Sequence, residues 1–185
     1  SVPTRRSSDL TASGGSAGLL TRETCPGDAA PVSYTFTATE PGTYTYHSGT
    51  QPELQIEMGL VGAIIVRPST GGFNHAYNHP DTIFDQETLF LLTSIDPKIP
   101  QLAEQNRFAE IDMTARWPVY WFINGRAAPD DLAAPFVAWL PHQPYNSAPR
   151  ITPGQKILVR IIGGDMDQHP LHLHGNHYSE IARYG

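Results

Sequence analysis

The stretch Asp167-Gln168-His169-Pro170-Leu171-His172-Leu173-His174-Gly175-Asn176-His177-Tyr178 places four of the chain's eight histidines within nine residues. Leu171 and Leu173 alternate with His172 and His174, so the segment reads as a strand. Side chains at i and i+2 of a strand share a face. His172 and His174 are therefore expected side by side, two rises or about 6.6 Å apart. Pro170 interrupts the ladder and can turn His169 out of the alternation, and Gly175 permits a bend or a close neighbour. A single strand histidine is ordinarily just a hydrogen-bonded polar residue. Two at i, i+2 with a third beyond a proline point to a metal, and imidazole suits copper, zinc, iron and nickel. His177 falls outside the pair and is read as a supporting or solvated residue.

These residues carry a resemblance. His169-Pro170-Leu171-His172-Leu173-His174-Gly175 looks like the H-P-x-H-x-H-G signature of multicopper oxidases, the laccase-like proteins. The resemblance implies that His169 binds a type 1 copper and that His172 and His174 bind type 2 and type 3 coppers. The spacing by itself shows only that a metal could be held.

Composition agrees with a β-rich globular chain. Hydrophobic residues make up 39% and charged residues 16%, with 16 glycines and 17 prolines supplying turn formers. The net charge of −6, without any basic run, argues against nucleic acid or an anionic membrane surface as partner. No apolar run reaches transmembrane length, and no signal peptide is evident. Cys25 is the single cysteine, which excludes an intrachain disulfide and says little about compartment.

Strand signals arrive in series. Val32 to Ala38 alternates apolar and polar, and Thr43 to His47 is rich in β-formers. Gly59 to Val66 is an apolar run of the length of a buried strand. Glu87 to Ser94 opens a further set, Gln101 to Glu110 can form a short helix, and Val119 to Gly125 is a strand running into an Asn-Gly turn. Ile151 to Ile162 is the strand before the histidine segment. Ser69 to Asp85 is turn-rich and reads as a linker whose His75 and His79 have no role, and His142 lies in an irregular stretch. Pro3 to Leu10 resembles the conceptual translation of a sequencing-adapter oligonucleotide, with an ordinary polar tail as the plainer reading. The first ten residues are left out of the fold reading.

The first half repeats the resemblance. Gly42-Thr43-Tyr44-Thr45-Tyr46-His47-Ser48 and Met58-Gly59-Leu60-Val61-Gly62 look like the segment that closes a first cupredoxin domain. Cys25-Pro26-Gly27 looks like its lead-in, where the cysteine is structural. The family's H-x-H then falls on His47 and Gly49, and glycine cannot bind a metal. His47 reads equally as a ligand and as a structural histidine. The fold expected is all-β: Greek-key cupredoxin-like β-sandwich domains, two in tandem and both incomplete. The boundaries are a tail over 1–17, the C-terminal part of a first domain over 18–68, a linker over 69–86 and the N-terminal part of a second over 87–185. About four strands are expected before Pro68 and about five after Glu87.

The chemistry implied by the resemblance is that of a copper oxidoreductase, of which the chain is a fragment. In full-length form it would couple one-electron oxidation of a small-molecule or metal-ion reductant to dioxygen reduction. The metal-ligand candidates are His169, His172, His174 and His47. A type 1 site needs two histidines and a cysteine, and no histidine brackets Cys25. The chain alone is therefore expected to hold at most one weak copper and to be inactive. The alternative is a copper-poor cupredoxin module with a binding or structural role. A mononuclear zinc or iron site ranks last, because no carboxylate stands at ligand spacing beside His172 and His174. The resemblance implies a periplasmic or extracellular location, without membrane insertion.

Overall fold

The computed structural model describes residues 10–18, 21–25, 27 and 30–184. All of the adapter-like stretch Pro3 to Leu10 except Leu10 lies outside the described residues. The regular structure is mainly strand, with helices of one to two turns, in line with the all-β expectation.

Four short strands open it. They are β1 (Thr11–Ser13), β2 (Ser16–Ala17), β3 (Arg22–Glu23) and β4 (Ser33–Thr35), with β1 antiparallel to β4 and β2 to β3. Residues 11–17, placed in the tail by the sequence reading, carry the first two of these strands. The Val32–Ala38 strand signal is realised over three residues only.

The first long ladder is β5 (Gly42–His47) against β6 (Val61–Val66), antiparallel from Gly42↔Val66 to His47↔Val61. Tyr44 faces Ile64 across it, the aromatic-to-β-branched pairing worth about 0.2–1 kcal/mol. Between these strands lies a helix that the hydrophobic pattern did not announce, α1 (Pro52–Glu57). Pro52 at its first position has no N–H to lose, and Glu53 complements the helix N-terminus.

The second sheet is built on β7 (Gln86–Ile95). It pairs antiparallel with β8 (Tyr120–Ile123) and parallel with β9 (Ile157–Gly163), giving the order β8-β7-β9. Asn124 and Gly125, with φ of 54° and 78°, turn the chain after β8, and Ile123 and Arg126 exchange backbone hydrogen bonds of 3.0 and 3.1 Å. This is the Asn-Gly turn that the sequence predicts. α2 (Lys98–Glu104) realises part of the short helix and buries Ile99 and Leu102. Six described strands precede Pro68 and three lie from Gln86 onward, against about four and five expected. No described helix is long and apolar enough to cross a membrane.

Two ionic clusters tie the halves together. Glu87 on β7 accepts from Arg67 and, at 2.7 Å, from Nε of Arg160 on β9, whose Nη1 donates to Thr43 Oγ1 on β5 at 2.7 Å. Burial works against the charge on Glu87, yet the Arg67 and Arg160 hydrogen bonds hold its carboxyl below the ordinary glutamate range. Glu57, at the end of α1, forms the second. Its Oε1 accepts from the backbone N–H of Asp96 and its Oε2 from Arg116 Nε, both at 2.7 Å. The Glu57 and Arg116 side chains are only 2% and 5% exposed.

The histidine segment departs from expectation. From Pro170 to Tyr178 there is no strand. Alternation sets which way side chains would point, but a strand also needs a ladder partner for its backbone groups. Among the described residues none runs beside this segment, and its side chains from Pro170 onward are exposed.

Candidate metal centre

The site begins where β9 ends. Gly164 donates to the Leu92 carbonyl at 2.8 Å, extending the β9 edge by one residue. A Cβ at Gly164 would sit 3.0 Å from Leu91 Cδ1 and 3.1 Å from Thr93 Cγ2, so the close approach favours glycine. The loop after it is fixed by its acids. Asp165 Oδ1 accepts from the Asp167 backbone N–H at 3.0 Å. Asp167 in turn accepts from Ser94 Oγ at 3.2 Å and lies 3.5 Å from Arg116 Nη1. The loop preceding the histidines is thereby tied to the Glu57–Arg116 cluster.

His169 is held here. Its Nε2 is 2.8 Å from Asp165 Oδ1, and the two side chains are 15% and 5% exposed. Pro170 does separate His169 from the pair beyond it, in line with the sequence reading. His172 and His174 stand together although no strand holds them. Their ring centroids are 4.7 Å apart and their planes meet at 81°.

His47 sits at the end of β5, exposed, with Nδ1 2.8 Å from the Ser48 carbonyl. A carbonyl only accepts, so Nδ1 carries the hydrogen and Nε2 is the open nitrogen. A cleft of about 220 Å³ brings His47 beside the loop after β9, its walls including Glu53, Glu57, Gly164 and Asp165. His169 borders a second, larger cleft with Trp121 and Leu171. The two histidine blocks, more than a hundred residues apart in sequence, thus approach one another through Asp165.

Gly49 occupies the position where the family pattern has its second histidine. A Cβ there would lie 2.5 Å from Thr21 Cγ2. The space beside His47 is taken by Thr21, so a side chain at residue 49 requires Thr21 to give way. Cys25 is exposed and, among the described residues, joins no histidine in a metal-binding group.

The fit to copper is partial. The two imidazoles, with ring centroids 4.7 Å apart, bring together two nitrogen donors of a kind that suits copper. Among the described residues, however, no three His, Cys, Asp or Glu side chains converge to hold an ion. His172 and His174 are a donor pair that needs further ligands from elsewhere. Asp165, four residues before His169, was given no role in the sequence reading, and the Glu57–Arg116 pair escaped it altogether. The Glu57–Arg116 pairing spans 59 residues, and no local spacing encodes it.

Comparison with known proteins bears on the first third of the chain. Residues 10–71 match the family model described as "Multicopper oxidase". The matched segment covers β1 to β6, with His47 and Gly49 inside it, and the histidine segment lies beyond it. No curated protein and no solved structure matches the chain. The strand-dominated architecture is that of an all-β, cupredoxin-like fold, and residues 10–71 carry the similarity to multicopper oxidases.

Proposed function

We propose that this chain is part of a copper-dependent oxidase in which His172 and His174 are two of the copper ligands. The observation that carries the reading is the pair of exposed imidazoles 4.7 Å apart. Bound copper would supply one-electron redox chemistry, with a small-molecule or metal-ion reductant as donor and dioxygen as acceptor. The chain's own residues do the rest. His172 and His174 bind, His169 is oriented by Asp165, and the Asp167–Arg116–Glu57 cluster fixes the loop that presents them. His47 offers Nε2 to the neighbouring cleft. In this reading residues 18–68 and 87–185 belong to successive cupredoxin domains joined by 69–86, and the protein works in a periplasm or outside the cell.

The test is a copper titration of the purified chain followed by electron paramagnetic resonance. One weak site is expected, lost in His172→Ala and in His174→Ala, with no oxidation of a phenolic dye by the chain alone. Unchanged binding in the double variant, or dye turnover by the chain alone, would sink the reading.

One observation favours a second reading, a copper-poor module with a binding or structural role. Thr21 fills the space a histidine at residue 49 would need. Under that reading the titration gives no specific copper signal at His172 and His174.

A further inference from the structure

We propose that Asp165 is a positioning residue that fixes His169 as its Nε2–H tautomer, leaving Nδ1 as the one nitrogen able to meet a metal ion or a ligand. The contact is 2.8 Å between His169 Nε2 and Asp165 Oδ1. A carboxylate accepts and does not donate, so the ring nitrogen facing it carries the hydrogen. The hydrogen bond at one ring nitrogen decides which is open at the other.

Asp165 is itself held in place. The Asp167 backbone N–H donates to the same Oδ1 at 3.0 Å, and Gly164 is tied to the Leu92 carbonyl at 2.8 Å. The Asp165 side chain is 5% exposed, so water competes little for the oxygen. Its Oδ2 has no hydrogen-bond partner among the described residues, which leaves Oδ1 as the acceptor in use. His47 provides the opposite case within the same molecule. The Ser48 carbonyl takes its Nδ1–H and leaves Nε2 open. His172 and His174 are exposed and touch one another, with no acceptor fixing either ring among the described residues.

The test uses the whole chain, metal-free, with nitrogen-labelled histidine and a long-range proton–nitrogen correlation spectrum taken where the imidazoles are neutral. His169 should show widely split ring nitrogens with Nε2 protonated, while His172 and His174 show averaged pairs. In Asp165→Ala the His169 splitting should narrow toward theirs. Asp165→Asn, which keeps an acceptor oxygen, should restore it. A residue that merely tethered the loop would leave the tautomer untouched. An Nδ1-protonated His169, an averaged pair in the wild type, or a splitting unchanged in Asp165→Ala would overturn the assignment. Should Asp165→Ala fail to fold, the wild-type spectrum alone decides. The consequence for copper rests on the proposed oxidase function, and the two fail separately. Broadening of the His172 and His174 signals by added Cu(II) tests that function, and the His169 splitting tests this one.

Discussion

Replacing Arg116 by methionine should remove about 3–5 kcal/mol of stability, because it strands a buried carboxylate. Glu57 is 2% exposed and loses the charged donor on Oε2, keeping only the Asp96 N–H on Oε1. Arg116 Nη2 also donates to the Ser94 carbonyl at 2.9 Å and to Ser94 Oγ at 2.8 Å, and both acceptors lose that partner. Methionine keeps most of the apolar stem, so the cost is electrostatic rather than a cavity. Against a total of about 5–15 kcal/mol for a typical protein, the loss is a large fraction. In urea, with a slope of about 1–3 kcal/mol per molar, the midpoint should fall by at least about 1 M. The companion variant separates charge from packing. Glu57→Leu together with Arg116→Met removes both charges and should cost less than Arg116→Met alone. A single variant within about 1 kcal/mol of wild type, or a double variant that loses more than the single, would refute the account.

The same structure sets three further outcomes. Glu87 has its carboxyl held below the ordinary glutamate value of about 4.3, so its contribution is complete above that value and is lost as pH falls through the lowered one. Urea midpoints followed from about pH 6 to about pH 3 should show an acid limb that Glu87→Gln flattens. Asn124→Ala removes three hydrogen bonds, from Leu91 N and to the Leu89 and Asn146 carbonyls, at a position with φ of 54°. It should cost about 2–4 kcal/mol in chemical denaturation, with Asn124→Gly costing nearly as much because the bonds outweigh the backbone term. Gly49→His should destabilise by about 1–3 kcal/mol through contact with Thr21. Adding Thr21→Ala should recover most of it in a thermal melt, since the nearest remaining atom would be Thr21 Cβ at 3.4 Å.

What could be read from the sequence was what neighbours in sequence decide. The β-formers of Thr43 to His47, the apolar run before Pro68 and the Asn124-Gly125 turn each depend on a few adjacent residues, and each appears in the structure. The helix Pro52–Glu57 was hidden because six residues are too few to show a helical period. Its cues were Pro52 at the first position and Glu53 beside it. The strand read into Pro170 to Tyr178 failed for the opposite reason. Its pattern was clear, but a ladder partner is a non-local requirement that alternation does not guarantee. The pairing of His172 with His174 survives because it needs only two residues of separation.

The location of the candidate centre depends on contacts that no local pattern encodes. Glu57 comes from the helix between β5 and β6, Arg116 from the segment before β8, and Asp167 from the loop after β9. All three lie within one chain of ion pairs and hydrogen bonds, and that chain ends two residues from His169. A buried ionic cluster is a poor source of net stability compared with apolar packing of the same volume. Its directional bonds do restrict where the attached segments can sit. Here they restrict the loop carrying Asp165, and through it the ring of His169, relative to His47 at the end of β5. Weakening the cluster should therefore alter the tautomer balance of His169 as well as the unfolding midpoint. In Arg116→Met, a lowered midpoint with His169 still split as in the wild type would show that Asp165 holds the ring without help from Glu57 and Arg116.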